Sequence, residues 1–181
     1  LKDTQSLMKK PNYFGSMMVE LGEADALISG LTTSYPTTIR PALHCIGMKD
    51  GLKIVSGLYI VFAKQDVYFF ADTTVNVNPT AEQLAEIAIS AADTVKEFDV
   101  IPKIAMLSFS NFGSAPYPES IKVKQATDLV KKLRPELMID GEMQADTAVM
   151  PEIIETEFPF STLKGRPNVL IFPDLNSGNI A

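Results

Sequence analysis

Apolar residues fall into a readable alternation of helical and strand-like stretches along this chain. Phe14, Met17, Met18 and Leu21 share one helical face, which predicts a helix closed by Gly22. Ala24 to Gly30 reads as a short buried strand running into a glycine turn. The β-branched and aromatic runs Lys53 to Ala63 and Val67 to Ala71 flank Lys64-Gln65-Asp66 and predict a hairpin. Thr80 with Gln83 forms a capping box ahead of the stripe Leu84, Ile87, Ala88, Ala91, Val95 and Phe98, so a helix is predicted from about Thr80 to Phe98. Ile104 to Leu107 is a short apolar run suited to a strand buried on both faces. A second amphipathic helix follows over Pro118 to Leu133, with Val123, Ala126, Val130 and Leu133 on one side. Leu137 to Ile139 and Asn168 to Phe172 read as further strands, separated by a helical segment broken at Pro151. Strands alternating with helices predict an α/β fold with right-handed crossovers.

Composition narrows the function. The 181 residues carry 46% hydrophobic and 21% charged side chains, the balance of a globular protein with an ample core. The net charge is -6, and no block of basic residues offers a surface to nucleic acid or an anionic membrane. No apolar run reaches the ~20 residues that span a bilayer. Cys45 is the single cysteine, which fits a reducing cytoplasm, and His44 is the single histidine. The two cannot form a four-ligand zinc site, and as neighbours in an apolar segment they read as packed or hydrogen-bonded groups. The first residue is leucine, so the sequence reads as a fragment of a longer protein.

Candidate chemistry gathers in hydroxyl-rich loops. Thr32, Thr33, Ser34, Thr37 and Thr38 precede Arg40 and Pro41, and Pro41 suits the first turn of a helix. Hydroxyls and amides at a helix N-terminus with an arginine beside them can hold a phosphate. Three loops at expected strand carboxyl ends carry small polar residues: Ser108 to Ser114, Asp140 to Asp146 and Asp174 to Asn179. Asp140, Glu142 and Asp146 have the chemistry of a base or a metal site, and equally of helix capping, the reading preferred for Glu142. No nucleotide-binding glycine fingerprint, P-loop or nucleophile elbow is present. A serine triad would need His44, and nothing in the sequence brings it to a serine.

Five ordered motifs carry a family resemblance: ISGLTTSYPTTIRPAL, FFADTTVNVNPTAEQLAEIAI, PKIAMLSFSNFGSA, DGEMQAD and NVLIFPDLNSGNIA. Together they resemble the phosphate acetyltransferases (phosphotransacetylases) of the phosphate acetyl/butyryltransferase superfamily over almost the whole chain. NYFGSMMVELGEADALISGLT and the Tyr35-Pro36 pair resemble more closely one branch, the C-terminal phosphotransacetylase-like domain of the large bacterial NADP-dependent malic enzymes. The resemblance implies an αβα sandwich of the isocitrate/isopropylmalate dehydrogenase type, with a mixed, mostly parallel sheet that is truncated at its C-terminal end. Residues 1–45 are expected in a first αβα subdomain and 46–175 mostly in a second, around a cleft.

The same resemblance implies binding of acetyl-CoA or phosphate by Arg40, Ser110, Asn111, Gly113, Ser114, Asp140 and Asp146, to which the hydroxyl-rich loop adds Thr32 and Thr38, with no catalytic residue and no metal expected in this stretch. It implies a regulatory domain sensing acetyl-CoA for malic-enzyme domains joined in cis. NADP and a divalent metal belong to those N-terminal domains, and the assembly is expected to be a homo-oligomer, a dimer or larger. The alternative is a phosphate acetyltransferase, and a third reading is a scaffold that only builds the oligomer. Two departures weigh against acyl transfer. Phe112 stands where the family usually has lysine. The family's N-D-L-S-R-G segment, which supplies groups to the chemistry, lies beyond Ala181.

Overall fold

The computed structural model describes residues 2–181, without the side chain of Lys2. The chain divides into two compact units, one ending at Lys53 and the other spanning Ile54–Ala181. The first unit holds α1 (Lys2–Met8), α2 (Pro11–Glu20) and α3 (Tyr35–Cys45). α2 begins at Pro11, whose fixed φ suits a first helical turn, and ends before Gly22, which takes a φ of 72°. It lies against α3 through Tyr13, whose hydroxyl is 2.8 Å from Nδ1 of His44. Cys45 turns its Sγ toward the Tyr13 carbonyl, so His44 and Cys45 do not pair with each other.

Two expectations for this unit are corrected. Ala24 to Gly30 is irregular and exposed, with Ile28 99% accessible, because a strand needs a neighbour for its amides and this unit contains only helices among its described residues. α3 starts at Tyr35, not at Pro41: Ser34 is its N-cap, Pro36 takes the first turn and Pro41 lies inside. Pro41 has no N–H to offer the carbonyl four residues earlier. That carbonyl, of Thr37, accepts instead from Nδ2 of Asn12 at 3.3 Å.

The second unit is built on β1 (Leu58–Ala63), β2 (Asp66–Ala71), β3 (Lys103–Leu107), β4 (Met138–Met143) and β5 (Val169–Ile171), in the order β1-β2-β5-β3-β4. β1 and β2 form the expected antiparallel hairpin, turning at Lys64 with φ 57°. Every other neighbouring pair is parallel, so the carboxyl ends of β2, β5, β3 and β4 share one edge of the sheet. The helices are α4 (Ala81–Lys96), α5 (Pro118–Leu133), α6 (Ala145–Val149), α7 (Pro151–Glu157) and α8 (Leu175–Ile180).

Side-chain alternation along the strands makes three layers. Ile104 and Met106 face α4 and α5, joining Phe69, Ile139, Val169 and Ile171 against Leu84, Ile87, Val95, Val123 and Val130. Ala105 and Leu107 face the other way, with Tyr68, Met143, Leu170 and Phe172 against Ala148, Ile154 and Leu163. The Thr80–Gln83 capping box is formed in both directions, at 3.3 and 2.9 Å. β4 runs on through Asp140, Gly141 and Glu142 to Met143, so the first half of the expected DGEMQAD loop is strand. The expected loop Asp174 to Asn179 is mostly α8, because the Asp174 side chain accepts from the Ser177 amide and caps a helix. The architecture is an α/β sandwich on a mixed, mostly parallel sheet.

Candidate functional site

In the first unit, the segment after α2 folds back over the start of α3 and encloses a cleft of about 850 Å³. Asn12 fixes this wall. Its Oδ1 accepts from Ser29 Oγ at 2.7 Å while its Nδ2 holds the Thr37 carbonyl. The bend that follows is tied by short hydroxyl pairs, Thr33 to Thr38 at 2.9 Å and Ser34 to Thr37 at 2.8 Å. Thr32 and Arg40 line the cleft, whereas Thr38 lies behind it, committed to Thr33 and the Ser34 carbonyl. Lys10, absent from the sequence-based set, lines it too. Among the described residues neither cation has an ion-pair partner, and no carboxylate lines the cleft. The signal for Lys10 was its place directly before Pro11, at the N-cap of α2. Arg40 sits in the second turn of α3, so the helix N-terminus and the arginine are separate features of the same wall.

In the second unit, the loop after β3 is locked onto the end of β4. The Ser110 hydroxyl, fully buried, donates to Glu142 Oε1 at 3.0 Å, and the Gly113 amide donates to the same oxygen at 2.5 Å. The Phe112 amide donates to the Glu142 carbonyl at 2.8 Å. Asn111 meets Gln144 in both directions, donating through Nδ2 to Oε1 and accepting on Oδ1 from the backbone amide, each at 2.7 Å. Ser114 accepts the Asn111 amide at 2.9 Å. Ser110, Asn111 and Gly113 are thus brought together, but their side-chain hydroxyl, amide and backbone donors hold the loop itself. Phe112 packs its ring between Phe158 and Phe160, with centroids 4.9 and 5.0 Å away. Glu142 accepts from residues on the facing loop and does not cap a helix, correcting the expectation for it.

The acidic residues divide the same way. Asp140 is 4% exposed and faces Lys131 at 2.6 Å, Ser161 Oγ at 2.8 Å and the Thr162 amide at 2.7 Å. Burial works against its charge, but Lys131, Thr162 and Ser161 outweigh it and hold the carboxyl below the usual aspartate range. It is a joint between β4, α5 and the segment after α7. Asp146 is exposed in the first turn of α6, and its Oδ1 accepts the Thr147 amide at 2.8 Å. Asp72, which sequence reasoning missed, is buried at the end of β2. Its two oxygens take the amides of Gly57, Thr74, Val75 and Asn76 and the Asn76 side chain. The run D-T-T-V-N after an apolar strand was its turn signature. Among the described residues no group of three or more His, Cys, Asp or Glu is arranged to hold a metal, and no helix is long and apolar enough to cross a membrane.

The sequence profile described as phosphate acetyl/butaryl transferase matches residues 1–181. The chain belongs to this family. A phosphate acetyltransferase of Bacillus subtilis is 47% identical over 169 residues, covering 93% of this chain and 52% of the relative. The crystal structure of a phosphotransacetylase from Streptococcus pyogenes superposes with a TM-score of 0.90 at 44% identity, covering 99% of this chain and 55% of that one. A phosphotransacetylase from Staphylococcus aureus gives 0.88 at 40% identity, covering 97% and 55%. The chain thus spans about half the length of these relatives. The family part of the resemblance holds, and so does the fold. The malic-enzyme branch gains no support, since the relatives named here are phosphate acetyltransferases and phosphotransacetylases.

Proposed function

We propose that this chain supplies part of a phosphate acetyltransferase. An oxygen of inorganic phosphate attacks the thioester carbonyl of acetyl-CoA. A C–O bond forms, the C–S bond breaks, and the electron pair leaves on sulfur, which takes a proton. The observation that carries the reading is the first-unit cleft, where Lys10 and Arg40 stand without acidic partners among the described residues, in a family whose named members bear this activity. Both substrates carry phosphate, and an unpaired arginine and lysine beside Thr32 and Ser29 suit one. The apolar margin of Leu27, Ile28 and Leu31 suits the uncharged arm of coenzyme A.

The donors of the second-unit loop Ser110, Asn111, Gly113 and Ser114 are engaged within that unit, so this reading does not use them as phosphate ligands. Phe112 offers no cation, and the positive charge of this reading is that of Lys10 and Arg40 in the first unit. The acetyl-CoA-sensing domain of a malic enzyme is the second reading. It rests on NYFGSMMVELGEADALISGLT and Tyr35-Pro36 alone, and the names of the relatives favour acyl transfer over it.

The test is release of coenzyme A thiol and formation of acetyl phosphate by the full-length protein given acetyl-CoA and phosphate. Turnover is expected, and Arg40→Ala should raise KM about tenfold, equivalent to ~1.4 kcal/mol, with kcat little changed. A full-length protein that makes no acetyl phosphate, but whose malate oxidation acetyl-CoA inhibits, would put the second reading first.

A further inference from the structure

The side chains that line the first-unit cleft differ in what they leave free. Tyr13 commits its hydroxyl to His44, Ser29 donates to Asn12, and Thr33 and Thr37 are tied to Thr38 and Ser34. Thr32 brings a hydroxyl, but a hydroxyl attacks only with a base beside it, and among the described residues no histidine or carboxylate lines the cleft. The guanidinium of Arg40 holds anions and does not attack carbonyls. Lys10 is the remaining nucleophile. Its side chain is exposed and has no acid across from it among the described residues. Its backbone is fixed on both sides: the amide donates to the Leu7 carbonyl at 2.9 Å, and the carbonyl accepts from the Phe14 amide at 3.0 Å. Pro11 keeps it extended, with φ -86° and ψ 127°. An unpaired amine on a fixed root thus opens onto the same cleft as Arg40.

We propose that Lys10 is a self-modification site: acetyl phosphate held in the first-unit cleft acetylates it, and the modification limits the cleft's own use of phosphate. The source of acetyl phosphate rests on the acyl-transfer reading, whereas the reactivity of the lysine does not. Acetyl phosphate is a small anion with an activated acetyl group. Arg40 and Thr32 suit its phosphate as they suit any other, which brings the acetyl carbon into the cleft that Lys10 lines and raises its effective concentration there. The lone pair of the free-base amine attacks the acetyl carbon. An N–C bond forms, the C–O bond to phosphate breaks, its electron pair leaves on the phosphate oxygen, and the surplus proton of the nitrogen passes to water. The products are Nε-acetylated Lys10 and inorganic phosphate. Acetylation removes the lysine charge. Arg40 is then the one cation that lines the cleft among the described residues, so accumulated product weakens phosphate binding.

The test incubates the full-length protein with acetyl phosphate and follows Lys10 by tandem mass spectrometry. Lys9 is the internal control, an exposed neighbour in sequence that does not line the cleft. Lys10 should acetylate about tenfold faster than Lys9. Excess inorganic phosphate should erase the difference by slowing Lys10 alone, and Arg40→Ala should erase it too. Equal rates at the two lysines, or a Lys10 rate that phosphate leaves untouched, overturn the site. The consequence is read separately, after acetyl phosphate is removed. Pretreatment should raise the KM for phosphate about fivefold in the wild type and leave that of Lys10→Arg where it was, since arginine keeps the charge and resists acylation. The same rise in both proteins, or no rise in a wild type acetylated at Lys10, overturns the self-limitation. If the protein makes no acetyl phosphate, the acyl-transfer reading fails by itself. The ratio of Lys10 to Lys9 labelling by added acetyl phosphate then still decides the site, and calorimetric binding of inorganic phosphate replaces KM, an unchanged Kd after acetylation overturning the consequence.

Discussion

The first unit keeps Lys10 and Arg40 facing a cleft with no acid across from them, while in the second unit Asp72 and Asp140 are each surrounded by donors. Both regions are rich in threonine, serine, asparagine and aspartate. What separates them is packing. A polar group inside a three-layer sandwich must be hydrogen-bonded or cost free energy, so the layers consume it. Three short helices with an irregular crossing bury little, and although their hydroxyls and Asn12 bond one another, Lys10 and Arg40 stay available. The availability of a polar side chain therefore follows the density of its surroundings more than its residue type.

Three pairs of variants and one single substitution probe this contrast. The largest effect is expected from glycine. A Cβ at Gly141, where φ is 142°, would sit 2.6 Å from the Met106 carbonyl oxygen, whereas one at Gly30, where φ is 116°, would meet nothing within 4 Å. Gly141→Ala should destabilise by on the order of 3 kcal/mol or more and Gly30→Ala by about 1 kcal/mol, read from urea midpoints. Equal losses would erase the distinction in packing.

Next comes Asp140→Asn, which should cost about 2 kcal/mol by leaving Lys131 without its buried counterion, the figure kept low because Lys131 is 37% exposed. Asp25→Asn in the exposed crossing should stay within about 0.5 kcal/mol. The folded carboxyl of Asp140 ionises below its unfolded value, so its contribution is complete above pH ~4 and disappears as pH falls through the lower, folded value. The stability gap between wild type and Asp140→Asn should accordingly narrow at acid pH. A gap that widens there would contradict the assignment.

Lys10→Ala should leave the urea midpoint nearly unchanged and weaken phosphate or coenzyme A binding about fivefold, roughly 1 kcal/mol, in a calorimetric titration. A loss of stability instead would mean that Lys10 is structural. The smallest contrast lies in the helix caps. Thr80→Ala should cost about 1 kcal/mol, because its side chain accepts the Gln83 amide. Ser34→Ala, at a cap with no such side-chain bond, should cost a few tenths in thermal unfolding.

Local patterns were legible in the sequence wherever the neighbours along the chain settle the structure. The hairpin around Lys64, the capped helix after Thr80 and the apolar run Ile104 to Leu107 all follow from residues a few positions apart. Ala24 to Gly30 misled because its apolar character says nothing about whether a partner strand exists. Asp174 misled in the other direction: its spacing to Ser177 was a capping signal hidden inside a string of turn residues. The grouping of the residues expected to bind was only partly visible. Thr32 and Arg40 do line the cleft, but the fates of Ser110, Asn111 and Gly113 depend on Glu142 and Gln144, about thirty positions away. No periodicity or spacing encodes a pairing at that range.

The Asn111–Gln144 contact also bears on how this protein ages. Asparagine deamidates when the backbone nitrogen of the following residue attacks its side-chain carbonyl. Here that nitrogen belongs to Phe112 and is committed to the Glu142 carbonyl, while the Asn111 amide is held at both ends by Gln144. The exposed Asn176 differs at its side chain: the Ser177 amide that follows it is also held, by Asp174 Oδ1 at 2.9 Å, but its own side-chain amide has no lock among the described residues. In a stored sample the first charge variants should arise in α8, and the loop after β3 should keep its asparagine long after Asn176 has begun to turn acidic.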